Sequence, residues 1–173
     1  MTSDPLFTGP ELCGLEAHEI VTLLKAKEIS SADLIDAAVA RIDQTGPMIN
    51  ATPTLCEARA RAVDLSNQDT TPAGYLAGLP ITIKDLNAVA NVRTTFGTKG
   101  LADFIPQHND PLVDQLERQG AVILGKTNTP EFGAGGNTFN DVFGQTRNPW
   151  NTALNPGGSS GGAAASLAAG EIW

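Results

Sequence analysis

The sequence predicts an α/β protein, a layered sheet flanked by helices, and three observations carry that prediction. Hydrophobic residues make up 41% of the 173 and charged residues 17%, enough apolar material for a core and too little charge for disorder. Two short apolar runs, Ile81–Lys84 and Ala121–Gly125, are bounded by turn residues and have the length of strands. A helical pattern lies between them, and strand, helix, strand in that order is the unit of a layered α/β sheet.

Each element has its own justification. A first helix is expected from about Glu16 to Lys27, because Leu15, Ile20, Leu23 and Leu24 fall near one face. Ser30-Ser31-Ala32-Asp33 opens a second with an N-cap serine and an acid three residues later. Leu34, Ile35, Ala38, Val39 and Ile42 continue it at helical spacing, and Gly46-Pro47 is expected to end it. A third helix is expected over Leu55 to Asn67, rich in Ala, Arg and Glu. The texture changes at Gly78-Leu79-Pro80, where the first strand begins. Asn109-Asp110-Pro111 then pairs an N-cap with a first-turn proline, opening a helix through Leu112, Val113 and Leu116 that Gly120 closes. Ala121–Gly125 is continuously apolar, as a strand buried on both faces would be. Residues 1–70 are therefore read as N-terminal amphipathic helices and 71–173 as the first part of an α/β core, within one domain.

Composition excludes several functions. A formal net charge of −8 repels phosphate backbones and anionic headgroups, so neither nucleic acid nor membrane is an expected partner. Cys13 and Cys56 lack CxxC spacing, which argues against a zinc site or disulfide framework and for reduced thiols. No metal or cofactor is expected. The opening Met-Thr-Ser-Asp-Pro has no basic or apolar leader, and no apolar run approaches the roughly 18 residues of a membrane span. A cytoplasmic location is the expectation.

Glycine and proline, 18 and 11 residues, are together denser in the second half, and the densest segment carries the chemistry. Asn155-Pro156-Gly157-Gly158-Ser159-Ser160-Gly161-Gly162 runs straight into the Ala-rich stretch Ala163–Ala169, so a loop delivers two hydroxyls and several N–H groups at a helix N-terminus. A flexible linker would continue in Gly and Ser instead of entering a helix. A phosphate cradle would need GxxxxGK[ST] or GxGxxG, and neither is present. Both serines satisfy GxSxG, but that elbow needs a strand before it and a histidine after it, and His18 and His108 lie upstream. The remaining reading activates a serine with lysine, whose neutral amine becomes a base when burial lowers its pKa. Lys84 ends an apolar strand and fits this role; Lys126, similarly placed after Val122–Gly125, is the second candidate.

Four segments resemble one family. Gly78-Leu79-Pro80-Ile81-Thr82-Ile83-Lys84-Asp85 is similar to the lysine strand of amidase-signature hydrolases. Gly120 through Phe132 resembles the segment that follows it, and Asn148-Pro149-Trp150 with Gly157-Gly158-Ser159-Ser160-Gly161-Gly162 resembles the opening of the signature itself. The resemblance implies an α/β/α layered fold with a mixed central sheet flanked by helices. It also implies an amidase that cleaves a small-molecule carboxylic amide to acid and amine or ammonia through a Ser–cis-Ser–Lys triad.

Lys84 matches the catalytic lysine, and Ser159 matches the bridging serine after a non-prolyl cis peptide bond. Gly135, Gly136, Asn137, Gly158 and Ser160 are implied to line the substrate-binding loops, and Lys126 to be structural. The family's acylated serine lies in a GTDxGGS-like stretch expected beyond Trp173, and Ser166, inside the Ala-rich helix without a glycine turn, is no substitute. The chain is thus expected to be the N-terminal part of an amidase, inactive alone. It would leave core faces uncovered around Val122, Ile123 and Ala163–Ala169, and would associate with the remainder of the amidase polypeptide or with itself. Two alternatives stand beside this reading: the amidase component of a glutamyl-tRNA(Gln)-type amidotransferase, and a non-catalytic interaction module.

Overall fold

The computed structural model describes residues 11–173; the reading of Met1–Pro5 as lacking a leader lies outside them. The two N-terminal helices begin at caps that the sequence encodes. Helix α1 (Ala17–Ala26) is opened by a capping box between Glu16 and Glu19 and closed by Lys27 in the left-handed conformation. Helix α2 (Ser31–Ile49) starts where Ser30 Oγ accepts the Asp33 N–H while Asp33 accepts the Ser30 N–H at 2.8 Å.

Contrary to expectation, Gly46-Pro47 does not end α2. The exposed Pro47 deletes one bond of the helix, but the Gly46 carbonyl still accepts the Asn50 N–H at 2.9 Å, and Ile49 is buried. Tertiary burial outweighs the local stop signal.

The third helix is also shorter than expected, covering Glu57–Arg61 (α3) only. Thr54–Leu55 forms strand β1 instead, pairing antiparallel with Lys126 and Gly125. Beyond Arg61, the Asp64 carboxylate accepts the Ser66 N–H at 2.9 Å, a local turn that competes with the helix.

Strand β2 (Pro80–Lys84) and strand β3 (Val122–Thr127) pair in parallel, with Lys84 opposite Thr127. Between them, helix α4 (Pro111–Arg118) starts at Asp110, whose carboxylate accepts the Leu112 N–H. The sheet order β1-β3-β2 is mixed, and helices flank it, which is the fold class the sequence predicts. A small hairpin of β4 (Phe139–Asn140) and β5 (Gly144–Gln145) precedes helix α5 (Gly161–Ala168).

Strand β3 is the centre of the core. Its Val122 and Leu124 pack with Ile35, Ala38, Ala60 and Ile172, and its Ile123 packs on the other side with Ile83, Val89 and Val113. The expectation that Val122 and Ile123 would be left uncovered is therefore wrong: they are 1% and 0% exposed. Helices from residues 1–70 and the segment after β2 close both faces. Helix α5 does keep an open side, since Ala164, Leu167 and Ala168 are exposed. Both cysteines are free thiols, and no helix among the described residues is long and apolar enough to cross a membrane.

Candidate active site

Two lysines one strand apart face opposite ways, and this divides their chemistry. Side chains alternate along a strand, so Lys84, opposite Thr127, and Lys126, the residue before Thr127, project to opposite faces of the sheet. Lys126 is fully buried. Its Nζ donates to Asn87 O at 2.7 Å and Thr94 Oγ1 at 2.8 Å, and stands 3.4 Å from Asp85 Oδ1. Burial pushes this amine down, and Asp85 pulls it partly back. Asp85 is held in turn by the Thr95 hydroxyl and N–H. The Lys126 amine is thus held on all sides by Asn87, Thr94 and Asp85.

Lys84 emerges on the other face, half-buried instead of enclosed. Its Nζ lies 2.8 Å from Ser159 Oγ and 3.1 Å from Ser160 Oγ. Burial lowers the Lys84 pKa below the ordinary lysine value, and no anion among the described residues is placed to raise it again. The amine is therefore tuned toward its neutral form, the form able to accept a proton. The peptide bond between Gly158 and Ser159 is cis. Ser160, expected only to line the loop, shares the lysine contact.

The loop carrying these serines is seated by contacts that admit no side chain. A Cβ on Gly162 would strike the backbone of Asn128, directly after β3, so the first turn of α5 rests against the sheet's end. A Cβ on Gly158 would come within 2.8 Å of Asn137 N and 2.9 Å of Gly136 C. Gly136 and Asn137 thus sit against the serine loop, and with Gly135 they line an open cavity of about 520 Å³ that also touches Thr98, Glu131 and Phe139.

Ser166 does not belong to this constellation. It is fully buried on α5, with its Oγ 3.3 Å from Thr52 Oγ1. Beside it, the buried Glu171 carboxylate accepts from Thr45 Oγ1 at 2.7 Å and from Thr52 Oγ1 at 2.8 Å. Trp150, from the Asn148-Pro149-Trp150 segment, is exposed and makes no part of the lysine–serine contact. Among the described residues, no group of three or more His, Cys, Asp or Glu could hold a metal ion.

Sequence reasoning missed two residues that build the site. Asn128 joins β3 to the hairpin, donating to Gly144 O and Thr146 Oγ1 and accepting from Asn140 Nδ2 at 2.7 Å. Its signal was available: a polar residue directly after a fully buried strand must find partners. Thr138, which bonds to the serine loop, had no local signal at all.

Comparison with known proteins gives a consistent picture. A sequence profile of the Amidase family matches residues 33–172. The chain is 44% identical over 165 residues to a glutamyl-tRNA(Gln) amidotransferase subunit of Carboxydothermus hydrogenoformans, covering 93% of this chain and 34% of that relative. It is 43% identical to the corresponding protein of Dehalococcoides mccartyi, covering 86% of this chain and 31% of the relative. Among solved structures it is similar to 6-aminohexanoate cyclic dimer hydrolase, with a TM-score of 0.81 and 32% identity over 92% of this chain and 33% of that one. It is also similar to a glutamyl-tRNA(Gln) amidotransferase subunit of Thermotoga maritima, with a TM-score of 0.79 and 29% identity over 94% of this chain and 33% of that one. The chain spans about a third of the length of the relatives it matches.

Proposed function

The chain belongs to the amidase-signature family, and from that premise we propose that the protein hydrolyses a carboxylic amide to an acid and an amine or ammonia, with Lys84 as base and Ser159 as proton relay. One observation carries this reading: the Lys84 amine, pushed toward neutrality by burial, stands 2.8 Å from the Ser159 hydroxyl. A relay of this kind needs donor and acceptor within hydrogen-bond reach, at about 2.6–3.2 Å.

In the proposed reaction a nucleophilic serine attacks the amide carbon. Its proton passes to Ser159 Oγ as the Ser159 proton passes to the Lys84 amine, giving an ammonium and a tetrahedral intermediate. Collapse expels the amine, which takes the proton back along the same path and leaves an acyl-enzyme. Water then repeats the transfer and releases the acid. The nucleophile is assigned to the part of the family's length that this chain does not span, because Ser166 faces the Thr52–Glu171 cluster. Gly135, Gly136 and Asn137, beside Gly158, are the proposed substrate-side wall.

A second reading is supported by the identity of 43–44% to amidotransferase subunits over 86–93% of this chain. In that reading the same hydrolysis serves a multi-subunit complex, and the ammonia goes to a partner's substrate. Purified full-length protein assayed against aryl amides, aliphatic amides and glutamine tests both. Release of amine or ammonia that is lost in Ser159→Ala is expected. Turnover by the protein alone supports a free amidase, and turnover that needs a partner chain supports the amidotransferase role. No release under either condition overturns amide hydrolysis.

A further inference from the structure

The hydroxyl of Thr138 spans the serine loop. Thr138 is 1% exposed, and its Oγ1 donates to Gly157 O at 3.0 Å while accepting the Gly161 N–H at 3.0 Å. Those two backbone groups lie on either side of Ser159 and Ser160, so one side-chain atom closes the loop that presents both hydroxyls to Lys84. Only a hydroxyl can do this with one atom, since it donates and accepts at once.

Thr138 is itself fixed from behind. Its carbonyl accepts the Thr146 N–H at 3.0 Å, and Asn140, two residues on, donates to Asn128 Oδ1 and to Thr129 O, both at 2.7 Å. A rigid path therefore runs from the end of β3 through the hairpin to the serine loop.

We propose that Thr138 is a positioning residue for catalysis, holding Ser159 in register with Lys84 by bonding Gly157 and Gly161 together. This rests on the reading of Lys84 and Ser159 as amidase machinery. Thr138 touches no reacting atom; its effect runs through the distance between the Lys84 amine and the Ser159 hydroxyl. Displacement of a reacting group by an ångström costs about a hundredfold in rate.

The test uses the full-length protein, with kcat and KM measured for wild type, Thr138→Val and Thr138→Ser. Valine keeps the shape and removes both bonds, so kcat should fall about a hundredfold with KM changed little. Serine keeps the hydroxyl and should restore most of kcat. Hydrogen exchange at the Gly161 amide supplies a readout apart from turnover, slow in wild type and Thr138→Ser, fast in Thr138→Val. Near-normal kcat in Thr138→Val, or equal losses in the valine and serine variants, overturns the assignment. Should Thr138→Val fail to fold, fast exchange at Gly161 in folded wild type does so too. Absence of turnover in wild type overturns the amidase reading instead, so the two failures are distinguishable.

Discussion

Lys84 Nζ stands 2.8 Å from Ser159 Oγ, across 75 positions of sequence. Strand β2 delivers the amine and the glycine-walled loop before α5 delivers the hydroxyl, and the contact between them is where the chain's fold meets its proposed chemistry.

The first prediction concerns pH. A lowered lysine pKa means the neutral amine grows in as pH rises through that lowered value, so kcat/KM of the full-length enzyme should climb along a limb whose midpoint lies below the ordinary lysine value of about 10.4. A midpoint at or above the ordinary value, or a rate that falls with rising pH, would refute Lys84 as the base.

The two lysines should separate by phenotype. Lys84→Ala should lower hydrolysis by about 10²- to 10⁴-fold with little change in unfolding free energy, since the side chain is half-buried. Lys126→Ala leaves the buried Asp85 carboxylate without its cation and should cost about 3 kcal/mol of stability in urea unfolding. The reverse pattern would exchange the two roles.

Glu171 makes a stability prediction. Burial raises its carboxyl pKa, with hydrogen bonds from Thr45, Thr52 and Ser166 opposing. A raised folded-state value contributes stability that is complete below the unfolded value, about 4.3, and is lost as pH rises through the raised value. Glu171→Gln cannot ionise, so the stability advantage of wild type over this variant should shrink between pH 4 and pH 8. An advantage that grows over that range would show the carboxylate to be favoured in the fold.

Gly162 is predicted to tolerate nothing larger. Its missing Cβ is the space occupied by the Asn128 backbone, which cannot rotate away, so Gly162→Ala should destabilise by about 1–3 kcal/mol and lower turnover with it. A variant of normal stability and activity would mean that α5 does not rest on the sheet's end.

Residues 1–173 assayed alone should not turn over amides. They hold the proposed proton path but not the proposed nucleophile, and loss of even one oxyanion donor costs about 10²–10³ in rate. Turnover by a sample verified by intact mass, and lost in Ser159→Ala, would require a nucleophile within these residues.

Much of this was legible in the sequence where the signals are local. The Ser30–Asp33 capping box, the Asp110-Pro111 helix start, and the two apolar runs that became β2 and β3 all depend on residues close together in the chain. The clustering of glycines around Ser159 and Ser160 marked the loop, and the strand end marked Lys84. What failed was decided from afar. Pro47 reads as a helix stop until Ile49 is seen to be buried, and Leu55 reads as helical until β3 offers it a partner. Val122 and Ile123 read as uncovered because the chain holds only part of the family's sheet, yet Ile35 and Ala38, far upstream, cover Val122, a placement that periodicity cannot supply. Thr138 is one threonine among many until the fold sets it between Gly157 and Gly161.

The most direct test of the Lys84–Ser159 relay is a double-mutant cycle on hydrolysis in the full-length protein. Groups that act as one unit are non-additive, so Lys84→Ala, Ser159→Ala and the double variant should all fall to similar residual rates, within about tenfold. Losses that multiply, with the double variant slower than either single by the full factor of the other, would show two independent residues and contradict the relay.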